Sequence, residues 1–367
     1  MTLNGINLGT VDATTASFSG PTCPVPIPEV ERVLLGHGSG GQLSAELLRD
    51  VIAPALAQVS LSGPVDDAAV LALPGGADAG SLVFSTDAFV VNPISFPGGN
   101  IGDLAVNGTV NDLAMMGGRP LALSLAYIIQ EGLPISVLRQ VTEAVGRAAQ
   151  AAGVLVVTGD TKVVGRDAAD GVYVVTSGIG ITGASRPSAA RAAAGDVILL
   201  SGPLAAHGMA VMSAREDFGF DATICSDTAP LNHLVADLLA AAPDTHTLRD
   251  PTRGGLASAL NEIADTAGIG IRLQEELIPI SEPVRGACEL LGLDPLHVAN
   301  EGICVAFVPP EQADAALAAM RARPEGAGAV KIGRAVDTGA GRVTMQTLVG
   351  AERIVDPLVG EQLPRIC

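Results

Sequence analysis

Short apolar runs that end on a carboxylate recur through the first half of this 367-residue chain, and they narrow the choice of fold more than any other feature. Residues 65–73 carry Asp66 and Asp67, residues 82–87 end on Asp87, and residues 153–157 lead through Thr158 and Gly159 to Asp160, Thr161 and Lys162. Valine- and leucine-rich runs of this length read as strands, the last of them buried. Further strands are expected at 120–129, 196–200, 303–308, 329–333 and 342–345. Residues 43–56, 100–116, 134–152, 204–214, 229–241, 256–266 and 310–321 place apolar side chains at helical spacing and read as helices. Strands mixed with helices in this way point to an α/β (α+β) architecture.

The chain is too long for one ordinary core and fits two domains. A stretch rich in Ser, Pro, Ala, Arg and Gly around 183–195 marks the division. The expected units are therefore a flexible segment over 1–32, domains over 33–182 and 183–348, and a tail over 349–367. A net charge of −18 argues against nucleic acid or an anionic membrane as partner. Aromatic residues make up only 2% of the chain, which leaves little for stacking on bases. Cys23, Cys225, Cys288, Cys304 and Cys367 form no CxxC pair, so neither a zinc site nor a disulfide framework is indicated. Residues 1–28 hold no Lys or Arg and no apolar core, unlike a signal or transit peptide, and no apolar run is long enough to span a bilayer. A cytoplasmic protein is expected.

Three local patterns carry chemistry. The run Gly36-His37-Gly38-Ser39-Gly40-Gly41 before a helix offers backbone N–H groups to an anion, or room for a close-passing chain. On the helix at 100–116, Asp103, Asn107 and Asn111 fall at i, i+4 and i+8, hence on one face, with Asp112 beside them. Asparagine is a poor helix former, so two in register imply a task. Finally the chain stops on Pro364-Arg365-Ile366-Cys367, an extended arm with a terminal thiol. It is not a prenylation signal, which places Cys fourth from the end.

Asp66, Asp67, Asp87, Asp112 and Asp160 together offer hard oxygen ligands for Mg²⁺, an ion bound through a few carboxylates plus substrate phosphates. Lys162 would balance the phosphates. No GxxxxGK[ST] and no strand-coupled GxGxxG occurs, so neither a P-loop nor a dinucleotide fold is supported. The residues alone thus suggest Mg-nucleotide chemistry and leave Glu301 and Cys367 without a role.

The motifs GHGSGG (36–41), VDDAAV (65–70), STDAFVV (85–91), VNDLAMMGG (110–118), TGDTKVV (158–164), RDPTRGGLA (249–257), VANEGIC (298–304) and the final PRIC resemble those of the AIR synthase and selenide, water dikinase superfamily of ATP-binding enzymes. They span nearly the whole chain after Pro28, and PRIC points to the HypE-like family of [NiFe] hydrogenase maturation. The resemblance implies two AIR synthase-like domains: an N-terminal mixed sheet with helices that pairs in a homodimer, and a C-terminal mixed sheet backed by helices. It further implies an ATP-dependent carbamoyl dehydratase that turns an S-carboxamide on Cys367 into an S-cyanate. The carbamoyl group would come from the carbamoyltransferase HypF, and the cyanide would pass to iron on a HypC–HypD complex.

On that basis Cys367, Glu301 and Lys162 are the expected catalytic residues, with Glu301 as base. Asp67, Asp87, Asn111, Asp112, Asp160, Thr161 and Lys162 are the expected nucleotide-binding set near the dimer interface, and Arg365 is expected to steer the tail into an acidic site. Selenophosphate synthases carry a reactive Cys or selenocysteine and a nearby lysine in the Gly-rich segment, where this chain has His37 and Ser39. AIR synthesis would leave Cys367 idle. A non-catalytic metal chaperone would need more soft ligands around Cys367.

Overall fold

The first carboxylate-ended runs become neighbours in one mixed sheet. The computed structural model describes residues 32–59, 66–73, 80–183, 186–215, 224–360, 363 and 365–367; Cys23, most of the segment over 1–32, and Pro364 lie outside them. A 3-10 turn at Leu35–Gly38 is followed by α1 (Gln42–Leu47), a π turn (Leu48–Ile52) and α2 (Ala53–Leu56). The helix expected over 43–56 thus changes register where Pro54 has no N–H to give. Next come β1 (Ala69–Ala72), β2 (Ser81–Phe89), the hairpin β3 (Ser95–Phe96) and β4 (Gly99–Asn100), α3 (Ile101–Met115), β5 (Gly118–Gln130), α4 (Ile135–Ala152), β6 (Leu155–Val164) and β7 (Val172–Thr182). The strand order is β1-β2-β7-β5-β6, with only β5 and β6 parallel, joined by the crossover helix α4.

Two departures from the sequence reading stand out. The central strand β7 was not expected, because Gly178 and Gly180 interrupt its pattern. Gly178 is needed there: a Cβ would come within 3.0 Å of Leu113, Thr109 and Leu123, so its absence lets α3 lie close on the sheet. The run at 153–157 was expected to be a buried strand. Instead β6 begins at Leu155 and continues through the TGDTK motif, exposed at every position but its last. It is the edge strand, and nothing among the described residues covers it.

The second half holds β8 (Val197–Leu200), α5 (Ala206–Arg215), α6 (Asn232–Ala241), β9 (Thr247–Arg249), α7 (Gly255–Ala267), β10 (Gly270–Gln274), α8 (Glu282–Leu291), β11 (Val305–Val308), α9 (Ala313–Arg321), β12 (Val330–Val336), β13 (Arg342–Gln346) and β14 (Glu352–Ile354). They form a mixed sheet in the order β14-β13-β10-β12-β8-β11-β9. Strands β8 and β11 are buried throughout and send alternate residues to two cores. Ile198, Leu200, Val305 and Phe307 pack with α7, whereas Val197, Leu199, Ala306 and Val308 pack with α6, α9 and the end of α3. Strands β10 and β14 and helix α8 were not anticipated; β14 lies inside the stretch read as tail, which runs free of the sheet only after it.

Candidate active site

Three carboxylates from different elements converge at the seam of the two sheets. Asp67 precedes β1, Asp112 projects from α3 and Asp250 follows β9, and each offers an oxygen within 4.8 Å of the others. They line a cavity of about 270 Å³ that also holds Asp87, Arg253, Glu301 and Cys367. Ser85 Oγ donates to Asp112 Oδ2 at 2.5 Å. Arg249 Nε meets Asp67 Oδ1 at 2.9 Å and also pairs with Glu262.

Glu301 is held by its backbone. Its N–H donates to Asp227 Oδ1 at 3.1 Å and its carbonyl accepts from Asn111 Nδ2 at 3.3 Å. The neighbouring Asn300 ties this turn to Ala205 N–H (2.7 Å) and to the carbonyl of Pro251 (2.9 Å), which registers it against the Asp250 loop. Glu301 Oε1 is buried and has no hydrogen-bond partner. A buried, unpartnered carboxylate oxygen beside a cavity is left for a ligand or a proton.

Burial sets the electrostatics. It pushes Asp67 well above the usual carboxylate range, against the pull of Arg249, and pushes Asp112 up with help from Asp87, Asp250 and Asp67. Burial likewise raises Asp87, and it takes Asp250 to about 6. Glu301 is raised well above its ordinary value by burial and then by Asp250 and Asp227. Six carboxylates, Asp67, Asp87, Asp112, Asp250, Glu262 and Glu301, line the cavity with two guanidinium groups, Arg249 and Arg253. An arrangement of buried hard oxygens short of positive charge fits a divalent cation such as Mg²⁺, and the set Asp67, Asp112 and Asp250 would hold it.

The tail is seated in this pocket rather than free. Val90 N–H donates to Cys367 O at 3.1 Å and Asn92 N–H to Arg365 O at 3.2 Å. Ile366 is buried with Phe89, Val91, Ile101 and Leu104. Arg365 does not enter the acidic site. It donates to Val90 O, pairs with Asp170 and lies 5.7 Å over the Tyr173 ring. Its φ of +54° is a left-handed conformation that costs a non-glycine residue on the order of 1 kcal/mol, and these contacts hold it. The Cys367 thiol is buried; this pushes it up to about 12, opposed by Arg253, which hydrogen-bonds to it.

Of the residues expected from sequence, Asp67, Asp87, Asp112, Glu301 and Cys367 meet at the cavity. Asp66 does not; it accepts from Ser188 Oγ and Ala189 N–H and caps a 3-10 turn. Asn111 is a tether: its amide donates to Ala229 O and Glu301 O and accepts from Leu231 N–H at 2.7 Å. Asn107 Nδ2 donates to Thr228 Oγ1, and Asp103 closes the capping box of α3 with Asn100. Asp160, Thr161 and Lys162 stand on β6, where Lys162 Nζ donates to Asp160 Oδ2 at 2.5 Å with both side chains more than 60% exposed.

In the Gly-rich turn, Gly40 and Gly41 lie where a Cβ would meet Arg253 Cβ at 2.5 Å and Leu358 O at 2.3 Å, so this turn admits a close-passing chain. Its His37 is bonded to the backbone of Leu34. The site also contains Asp250, Arg249 and Arg253, which the sequence reading passed over as a polar turn. Asp250 repeats the strand-end carboxylate pattern, but β9 spans only Thr247–Arg249, too short to register as a strand.

Comparison with known proteins matches residues 65–182 to the model for AIR synthase related protein, N-terminal domain, and residues 193–346 to that for AIR synthase related protein, C-terminal domain. The carbamoyl dehydratase HypE of Rhodobacter capsulatus is 54% identical over 339 residues, covering 92% of this chain and 98% of that one. Among solved structures, a HypE–HypF complex aligns with a TM-score of 0.78 at 43% identity, over 87% of this chain and all of that chain (100%). The hydrogenase maturation protein HypE in complex with ATP aligns with a TM-score of 0.76 at 44% identity, over 92% of this chain and 100% of that one.

Proposed function

The chain belongs to the HypE carbamoyl dehydratases of the AIR synthase-related family, and from that premise we propose that it converts an S-carboxamide on Cys367 to an S-cyanate with ATP as co-substrate. The carboxamide comes from a HypF carbamoyltransferase, and the cyanide is destined for the iron of a [NiFe] hydrogenase through HypC–HypD. The single observation that carries this reading is the docking of Cys367 into the carboxylate pocket beside the unpartnered Glu301.

ATP supplies the phosphoryl group that turns a poor leaving oxygen into a good one. Asp67, Asp112 and Asp250 would hold Mg²⁺, which would neutralise its phosphates, with Asp87 at the same cavity. The carboxamide nitrogen loses both of its protons: one leaves on the departing phosphate as the C–O bond breaks, and the other is accepted by Glu301. Its burial raises its pKa, the direction that a base working near neutral pH requires. Arg253 holds the sulfur end of the group by its hydrogen bond to Cys367. Asp160, Thr161 and Lys162 act from the partner copy of a homodimer, with Lys162 as the counter-charge to phosphate. What supports this is β6: an edge strand with Leu155 69% and Val163 67% exposed offers an apolar face for a second copy. Residues 33–182 and 183–348 are the two domains of that dimer's protomer, and a free thiol suits a reducing cytoplasm. None of the described helices is long and apolar enough to cross a membrane.

The test is the mass of the C-terminal peptide after incubation with a HypF transferase, carbamoyl phosphate, ATP and Mg²⁺. The expected result is one carbamoyl group gained, followed by loss of one water with release of ADP and phosphate. A carbamoylated peptide that persists while ATP stays intact would refute the reading.

A further inference from the structure

Besides β2 and α3, which also carry Asp87 and Asp112, the tail is seated by α5, and there it meets a buried histidine. His207 opens α5 and is fully buried, its imidazole edge-on to Phe96 at 5.3 Å. Nε2 lies 2.9 Å from the carbonyl of Ile366, and Nδ1 lies 2.8 Å from Ser226 Oγ. Burial takes the imidazole down to about 4, so the ring is neutral and carries one hydrogen. A carbonyl can only accept, so that hydrogen is on Nε2 and Nδ1 accepts from the Ser226 hydroxyl. Ser226 Oγ in turn accepts from Thr228 N–H at 3.1 Å, so the chain of donors runs one way, from Thr228 through Ser226 and His207 to the tail. Two turns further along α5, Arg215 Nη2 donates to the carbonyl of Arg365 at 3.1 Å and to that of Asn92 at 2.6 Å.

The same short segment also holds the base. Asp227 accepts from the N–H of Glu301, Thr228 accepts from Asn107, and Ala229 O accepts from Asn111. The tail, through His207 and Ser226, and Glu301, through Asp227, are thus referenced to adjacent residues of one strap that α3 holds down. A shift of one would be felt by the other.

We propose that His207 is a positioning residue for the reaction: it grips the Ile366 carbonyl, and with Ser226 it sets the docked Cys367 at a fixed place relative to Glu301. His207 touches neither nucleotide nor the reacting group, and it acts through the main chain of the tail. Its effect on turnover rests on the dehydratase reading, while its effect on docking does not.

The experiment therefore has two arms on the full-length protein. In the first, iodoacetamide alkylation of Cys367 is followed by mass spectrometry of the C-terminal peptide without nucleotide or carbamoyl donor. The docked thiol is buried and protonated, so alkylation reports the undocked fraction. His207→Ala should speed it by about fivefold or more, the equilibrium effect of one lost hydrogen bond, Ser226→Ala should speed it less, and His207→Gln, whose amide reaches as far as Nε2, should return it toward wild type. In the second arm, HypF-dependent carbamoylation of His207→Ala should be at least as fast as in the wild type while ATP-dependent loss of water slows, with recovery in His207→Gln. Unchanged alkylation in both His207→Ala and Ser226→Ala overturns the proposal, as does equal slowing of dehydration by His207→Ala and His207→Gln. A wild-type chain that does not dehydrate but shows the alkylation contrast would refute the dehydratase reading and leave the latch standing.

Discussion

Asp112, inside helix α3, and Asp160, on strand β6, were both expected at one metal site and have opposite fates. Asp112 lies half-buried at the cavity with Asp67, Asp87 and Asp250, and desolvation there drives it well above the usual carboxylate range. Asp160 sits on an exposed edge strand, where its hydrogen bond from Lys162 holds it below that range. The residue type is the same, so the environment decides whether a carboxylate is a solvated charge or a reservoir of unmet demand for cations. An exposed pair gains little in water, whereas a buried carboxylate short of partners keeps its full desolvation cost until something positive arrives.

The sharpest test of that contrast is Asp112→Asn. Dehydration should fall by at least about a hundredfold, the scale of losing a preorganised electrostatic group. The metal-free protein should nevertheless become more stable at pH 8. The sign follows from the raised pKa: the wild-type fold has its full stability from this group at low pH and loses it as pH rises through the raised value, a loss the amide does not suffer. Thermal unfolding at pH 5 and pH 8 checks this, and a lower Tm for Asp112→Asn at pH 8 would break the comparison.

Lys162→Ala should also abolish turnover, but for a reason that lies in the other protomer. Mixed with Asp112→Asn and reassociated, it should restore about a quarter of wild-type activity, because half of randomly paired dimers carry one intact site. No restoration would place Lys162 in its own chain's site or in none. The smallest effect is expected at Asp227, which burial raises to about 7. Asp227→Asn keeps an oxygen for the Glu301 N–H and should raise Tm by roughly 2–5 °C above pH 7, with the gain shrinking as the pH falls below about 7 and gone only below the ordinary carboxylate value of 3.8. A pH-independent difference would mean that Asp227 is not the titrating group.

How much of this was legible in the sequence depended on whether a signal was local. The α/β architecture, α3 and α4 and the gathering of Asp67, Asp87 and Asp112 followed from runs and motifs that carry their own pattern, whereas Glu301 and Cys367 joined them only through the resemblance. Strand β7 did not, since the glycines that let α3 approach also erase its strand signature. The exposure of β6 did not either, because Leu155, Val156 and Val157 look like core until the strand is known to be an edge. Asn107 and Asn111 were recognised as purposeful, but their partners are more than a hundred residues away, and only the fold shows that Asn107 binds the Thr228 hydroxyl and Asn111 binds backbone. Asp250 was hidden by the shortness of β9, and His207 by the absence of any motif around it.

Helix α3 carries one further consequence. Thirteen of its fifteen residues are buried, and those that are not core hold the turn before it, the strap behind Glu301 or the carboxylate pocket. A helix with no solvent face has no position at which drift is free. Sequence variation among chains of this kind should therefore thin out along 101–115, even where the side chain concerned is nowhere near a substrate.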